Sequence, residues 1–136
     1  MRSLQALLAV FACAFLPLHA ASLDDLTWTT TDGEITITDC DVAATGELVI
    51  PDTIGGNPVT SIGEGAFTSC TSLTSLALPD SVPRIGAWAF SMCASLESIT
   101  IPDSVTSMEF GAFYQCRSLT SITIGDGVTS IGQDAF

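Results

Sequence analysis

The sequence has no lysine, one histidine and three arginines in 136 residues. Nucleic-acid binding needs clustered cations to displace phosphate counterions, and Arg2, Arg84 and Arg117 are scattered. The same scarcity excludes a basic amphipathic helix lying on an anionic membrane. His19 falls in a stretch expected to be removed, so neither a Ser/His/Asp nor a Cys/His constellation can be assembled, and no catalytic residue is assigned. The carboxylate pairs Asp24/Asp25 and Asp39/Asp41 lie on polar stretches and read as solvated. What is abundant is acid and apolar surface. Fifteen Asp and Glu give a formal net charge of -12, and 47% hydrophobic residues in a chain of this length can build the core of one domain.

Arg2 is followed by the apolar run Leu4 to Leu18 and then by Ala20, Ala21 and Ser22. A charged start, a hydrophobic stretch and a small-residue cleavage site make residues 1–20 an expected signal peptide, cut after Ala20 or after Ala21. The run is shorter than the roughly 20 residues of a spanning helix, and the acidic Asp24-Asp25 follow it. Export to the medium or the cell surface is therefore expected. Cleavage after Ala20 leaves 116 residues with only Arg84 and Arg117 as cations, a net charge of -13, and no second long apolar run that could span a membrane.

Self-similarity is the strongest signal. Val59 to Ser81, Val82 to Ser104 and Val105 to Gly127 align without a gap at 23 residues, and a fourth copy runs from Val128 to Phe136. Phe67, Phe90, Phe113 and Phe136 recur at this spacing, as do Ala66, Ala89, Ala112 and Ala135, and Cys70, Cys93 and Cys116. A period without drift predicts a solenoid in which each repeat makes one coil and equivalent side chains stack. In the middle repeat the core is expected to be Val82, Ile85, Ala89, Phe90, Cys93, Leu96, Ile99 and Ile101. The alternation of Ser98-Ile99-Thr100-Ile101, ended by Pro102, predicts a strand, and Val105 to Met108 a second extended piece. Gly111 to Cys116 has room for about one helical turn.

The string carried by Leu73, Leu76, Leu78, Pro79, Val82, Ile85, Gly86, Ala89, Phe90 and Cys93 resembles the BspA-like class of leucine-rich repeat. The resemblance covers residues 59 to 136, and departs from the pattern at Glu109, in the column of Gly63, Gly86 and Gly132, and at Gly125, in the column of Pro79 and Pro102. It implies an α/β repeat fold, a right-handed solenoid on secreted or surface proteins, serving adhesion or protein binding without catalysis.

Residues 21–58 do not repeat. Leu26 to Thr31 and Glu34 to Thr38 alternate around Asp32-Gly33, a hairpin signal, and Leu48-Val49-Ile50-Pro51-Asp52 imitates the repeat strand and turn. This segment is expected to be a β cap on the repeats of 59–136, with Trp28 in the cap core. The fourth repeat stops at Phe136 without a cap, which implies either a fragment of a longer array or end-to-end self-association.

The cysteine column places thiols one per coil with parallel side chains, an unsuitable geometry for disulfides, and lacks the close pairs that zinc draws on. It reads as a ladder of buried thiols. Cys40 has no partner in this scheme. The column Asp80, Asp103 and Asp126 offers one carboxylate per coil against the six to eight oxygens that Ca²⁺ takes, and reads as turn capping. Neither a metal nor another cofactor is expected.

The functional clue lies where the copies differ. Trp88 stands in the column of Gly65, Gly111 and Asp134, Phe110 in that of Glu64, Ala87 and Gln133, and Tyr114 in that of Thr68 and Ser91. With Arg117 and Arg84 nearby, these aromatics either form an exposed patch for a protein or matrix partner, or fold over the coil and seal its edge. The strand positions Ser75, Ala77, Ser98, Thr100, Ser121 and Thr123 make a weakly featured face. The expected function is an exported binding or adhesion module, with a structural spacer of a larger surface protein as the alternative.

Overall fold

A computed structural model describes residues 20–136. The hydrophobic part of the expected signal peptide lies outside the described residues, and no helix among them is long and apolar enough to cross a membrane. Ala20 already belongs to the fold, bridging to Thr45.

The chain opens on a short 3-10 turn, Leu23–Asp25, whose cap is reciprocal: Ser22 accepts from the Asp24 amide while Asp25 accepts from the Ser22 amide. Strands β1 (Leu26–Thr31) and β2 (Glu34–Cys40) form the hairpin that Asp32-Gly33 predicts. Both turn residues have positive φ, +53° and +80°, the twist that joins antiparallel strands in two residues. After β3 (Gly46–Val49), a second hairpin pairs β4 (Thr53–Ile54) with β5 (Asn57–Ile62) through Gly55 and Gly56.

Each later repeat then gives one strand to each of two parallel sheets. The strands β6 (Leu73–Ala77), β8 (Ser98–Ile101) and β10 (Ser121–Ile124) follow β3 in one, and β7 (Arg84–Ile85), β9 (Ser107–Met108) and β11 (Ser130–Ile131) follow β2 and β5 in the other. The register equals the sequence period: Ser75 faces Ser98, which faces Ser121, and Arg84 faces Ser107, which faces Ser130. The opening strands join the same two sheets, β2 pairing with β5 and β3 with β6, but register shifts break the 23-residue step: Ile35 faces Val59 while Thr36 faces Ser61, and Gly46 faces Leu73 while Glu47 faces Ser75.

The third side of each coil corrects the expected helical turn. No α-helix occurs among the described residues; the segment after β7, β9 and their equivalents is a run of tight turns. Its amides alternate in use. In the second repeat Ala89, Ser91 and Cys93 donate back to Gly86, Trp88 and Phe90, while Trp88, Phe90 and Met92 donate to Phe110, Ala112 and Tyr114 of the next coil. A helix would spend every amide within its own coil and leave none for stacking. Left-handed residues twice per repeat, such as Gly111 at φ +62° and Gln115 at +57°, enforce the alternation.

All eight core residues expected in the middle repeat are buried. Phe67, Phe90 and Phe113 stack in near-parallel planes with centroids 5.1 Å apart, and Phe136 continues the stack at 5.5 Å. The cysteines stack as free thiols, Cys93 Sγ lying 3.1 Å from the Phe67 carbonyl oxygen and Cys116 Sγ 3.0 Å from that of Phe90. At Gly63 and Gly86 the backbone of the preceding coil lies within 3 Å of where a Cβ would stand, which explains the glycine column. Asp103 does cap a turn, accepting from the Asp126 amide at 2.8 Å.

Trp28 is a second correction. It is 36% exposed, because β1 is the outermost strand of its sheet and all its residues after Leu26 are exposed.

Candidate functional site

The turn ladder of the third side has a backbone requirement that repeats every 23 residues. Gly65, Trp88, Gly111 and Asp134 all sit between φ +54° and +65°. Glycine adopts this region freely and aspartate tolerates it, whereas a bulky side chain pays roughly 1–2 kcal/mol. Trp88 therefore occupies a place that its neighbours in the column fill with residues suited to it.

The ring is accommodated by what lies next to it. It spreads over Gly111, where a Cβ would come within 2.6 Å of Trp88 Cε3 and Cζ3. Phe110 meets Trp88 edge to face at a centroid distance of 4.7 Å, and Tyr114 does so at 5.4 Å with perpendicular planes. Such contacts each contribute about 0.5–1.5 kcal/mol beyond burial, enough to offset the backbone strain. Below the cluster, the Thr68 hydroxyl donates to the Trp88 carbonyl at 3.0 Å and lies 3.2 Å from the Ser91 hydroxyl, which is fully buried. Removing that hydroxyl leaves Ser91 without its partner, so Thr68→Val is expected to cost about 1–2 kcal/mol in chemical denaturation.

The cluster packs and also stays open. Trp88 is half-buried, while Phe110 and Tyr114 remain 39% and 38% exposed. Met92 adds to the same side: it is 43% exposed, stands in the column of Ser69 and Gln115, and donates its amide to the Tyr114 carbonyl. Sequence comparison did not single out Met92, although the same signal marks it, a large apolar residue in a polar and left-handed column.

The structure thus brings Trp88, Phe110 and Tyr114 together. Arg117 shares a surface hollow with Tyr114, lined also by Leu119, Ile122 and Phe136. Arg84 instead stands in β7, in a shallow polar groove with Glu34, Thr60 and Thr106, and its guanidinium lies 3.6 Å from Glu109. Both members of that pair are well exposed, and such pairs contribute little. Among the described residues no group of three or more His, Cys, Asp and Glu converges as metal ligands would.

The sequence matches the BspA type leucine rich repeat region in six copies over residues 46–136. No curated protein matches it. Among solved structures, a leucine-rich repeat protein of T. pallidum is 33% identical with a TM-score of 0.79, the match covering 87% of this chain and 56% of that one. One from Bacteroides capillosus is also 33% identical, with a TM-score of 0.70 over 79% of this chain and 83% of the other. A leucine rich cell surface protein of Faecalibacterium prausnitzii is 25% identical, with a TM-score of 0.53 over 87% of this chain and 46% of that one. The chain spans about half the length of the T. pallidum protein.

Proposed function

Because the chain belongs to the BspA-type leucine-rich repeat family, we propose that it is an exported, non-catalytic module that binds a protein or extracellular-matrix partner through Trp88, Phe110 and Tyr114. The observation that carries this reading is Trp88 at φ +58° in a column otherwise held by glycine and aspartate. Glycine would fill this position without backbone strain, and the rings whose contacts offset the strain of the tryptophan remain partly exposed. Trp and Tyr are the residues whose partly buried rings most often dominate interface energies, and Arg is the cation that accompanies them. Arg117 beside Tyr114 supplies that cation here, and Met92 supplies an adaptable apolar neighbour. The strand face carries no exposed aromatic ring; Ser98, Thr100, Ser121 and Thr123 are exposed there, with the aliphatic Val49 and Ile124.

Export is supported by the pattern of residues 1–20 and by the description of the Faecalibacterium prausnitzii relative as a cell surface protein. The full chain should be tested against immobilised fibronectin, laminin and collagen, beside a variant carrying Trp88→Ser and Phe110→Ser. The expected result is binding by the wild type and at least a tenfold loss in the variant, in keeping with the 2 kcal/mol or more of an interface hot spot. Equal binding by both proteins, with equal circular dichroism, removes the aromatic cluster from the function. Binding by neither favours the spacer.

A further inference from the structure

Cys40 lies outside the 23-residue repeat, at the end of β2, yet the fold carries it to the first thiol of the ladder. Cys40 Sγ is 3.7 Å and Cys70 Sγ 3.9 Å from one atom, the Asp41 carbonyl oxygen, and Cys70 Sγ is 3.8 Å from the Cys40 carbonyl oxygen. These S–H contacts are long, whereas Cys93 and Cys116 are each held by a contact of 3.0–3.1 Å to the preceding coil. Cys40 has a route to solvent through a surface hollow whose other walls are Asp24, Asp25, Thr27, Asp39, Asp41 and Val42, and Cys116, itself only half-buried, lines the hollow beside Arg117.

We propose that Cys40 and Cys70 are a dithiol that closes to a disulfide by exchange with a small disulfide entering this acidic hollow, pinning the cap to the first repeat. The Cys40 thiolate attacks one sulfur of RS–SR, forming Cys40–S–S–R, and the displaced RS⁻ leaves with the bond pair and takes up a proton. The Cys70 thiolate then attacks Cys40 Sγ and expels the second RS⁻, which is protonated in turn. The protein gives up two electrons and two protons, and the small disulfide is reduced to two thiols. The Cys70 thiol, burial, and the charges of Asp25 and Asp39 all push the Cys40 thiol upward, which slows exchange with any reagent, while the acidic walls of the hollow repel an anionic reagent and attract a cationic one.

The test treats the reduced, folded full chain with cystamine at low ionic strength, alkylates the remaining thiols after denaturation, digests at Asp and reads the products by mass spectrometry. The expected product is one linkage, Cys40 to Cys70, two hydrogens lighter than the separate peptides, with Cys93 and Cys116 alkylated. Cys70→Ser should halt at a cystamine adduct on Cys40. At low salt cystamine should react at least about tenfold faster than 3,3′-dithiodipropionate, an aliphatic disulfide of opposite charge, with the ratio shrinking in about 1 M salt. A linkage between Cys93 and Cys116, a persistent adduct on Cys40 of the wild type, no reaction at Cys40, or faster reaction with the anionic reagent would each overturn the proposal.

Discussion

Replacing Phe90 with Ala is expected to destabilise the fold by about 3–5 kcal/mol, the range for deleting a fully buried aromatic ring. Phe90 is 1% exposed and stacks on Phe67 and Phe113 with interplanar angles of 19° and 12°, so its removal opens a cavity that neither neighbour can fill. In a solenoid, stability comes from each coil and from the interface between adjacent coils, so a defect in a central coil weakens two interfaces at once. Phe136 stacks on one ring and is 55% exposed, and Phe136→Ala should cost under about 1 kcal/mol. Urea unfolding of the two variants reads the difference. Equal losses would mean that the rings do not act as a stack.

Gly111→Ala should cost about 2–4 kcal/mol, more than a surface substitution in a turn ordinarily does. One part is the left-handed backbone, φ +62°, which costs alanine about 1 kcal/mol. The larger part is the overlap of the new methyl with the Trp88 ring, which must move off Gly111 and lose its edge contacts with Phe110 and Tyr114. The two parts separate in a double-mutant cycle. Where Trp88 is already Gly, the same Gly111→Ala change should cost only the backbone term, about 1 kcal/mol. A cost unchanged by removal of the tryptophan would show that the ring does not rest on Gly111.

Much of this architecture is legible in the sequence because the period is undisturbed. The 23-residue spacing gives the register directly, so Ser98 against Ser121 follows from counting, and the recurrent apolar positions are buried except towards the last coil, where Ile124, Ile131 and Phe136 are exposed. The hairpin at Asp32-Gly33 is equally plain, since its turn residues suit positive φ. What the pattern conceals is the structure of Gly111 to Cys116. Six residues with a buried Ala-Phe pair fit one helical turn as well as they fit paired tight turns, and only the neighbouring coil, which takes every second amide, decides between them. Trp28 misleads for a related reason: a tryptophan in an alternating strand reads as core, yet its strand is the sheet's outer edge. The aromatic cluster is legible in Trp88, Phe110 and Tyr114 as departures from their columns. Arg84 stands in β7 beside Glu109, a pairing that the columns do not show. The meeting of Cys40 with Cys70 was beyond reach, since Cys40 lies outside the repeat.

Trp88→Gly separates folding from binding, because it returns to the column a residue that the backbone favours. Relief of the left-handed strain offsets much of the lost ring packing, so its unfolding free energy should stay within about 1–2 kcal/mol of the wild type. The decisive measurement is the affinity of this variant for the matrix protein that the wild type binds, taken beside its unfolding midpoint. The aromatic-cluster account predicts at least a tenfold loss of affinity in a protein that is still folded. Full affinity in the folded variant would contradict it.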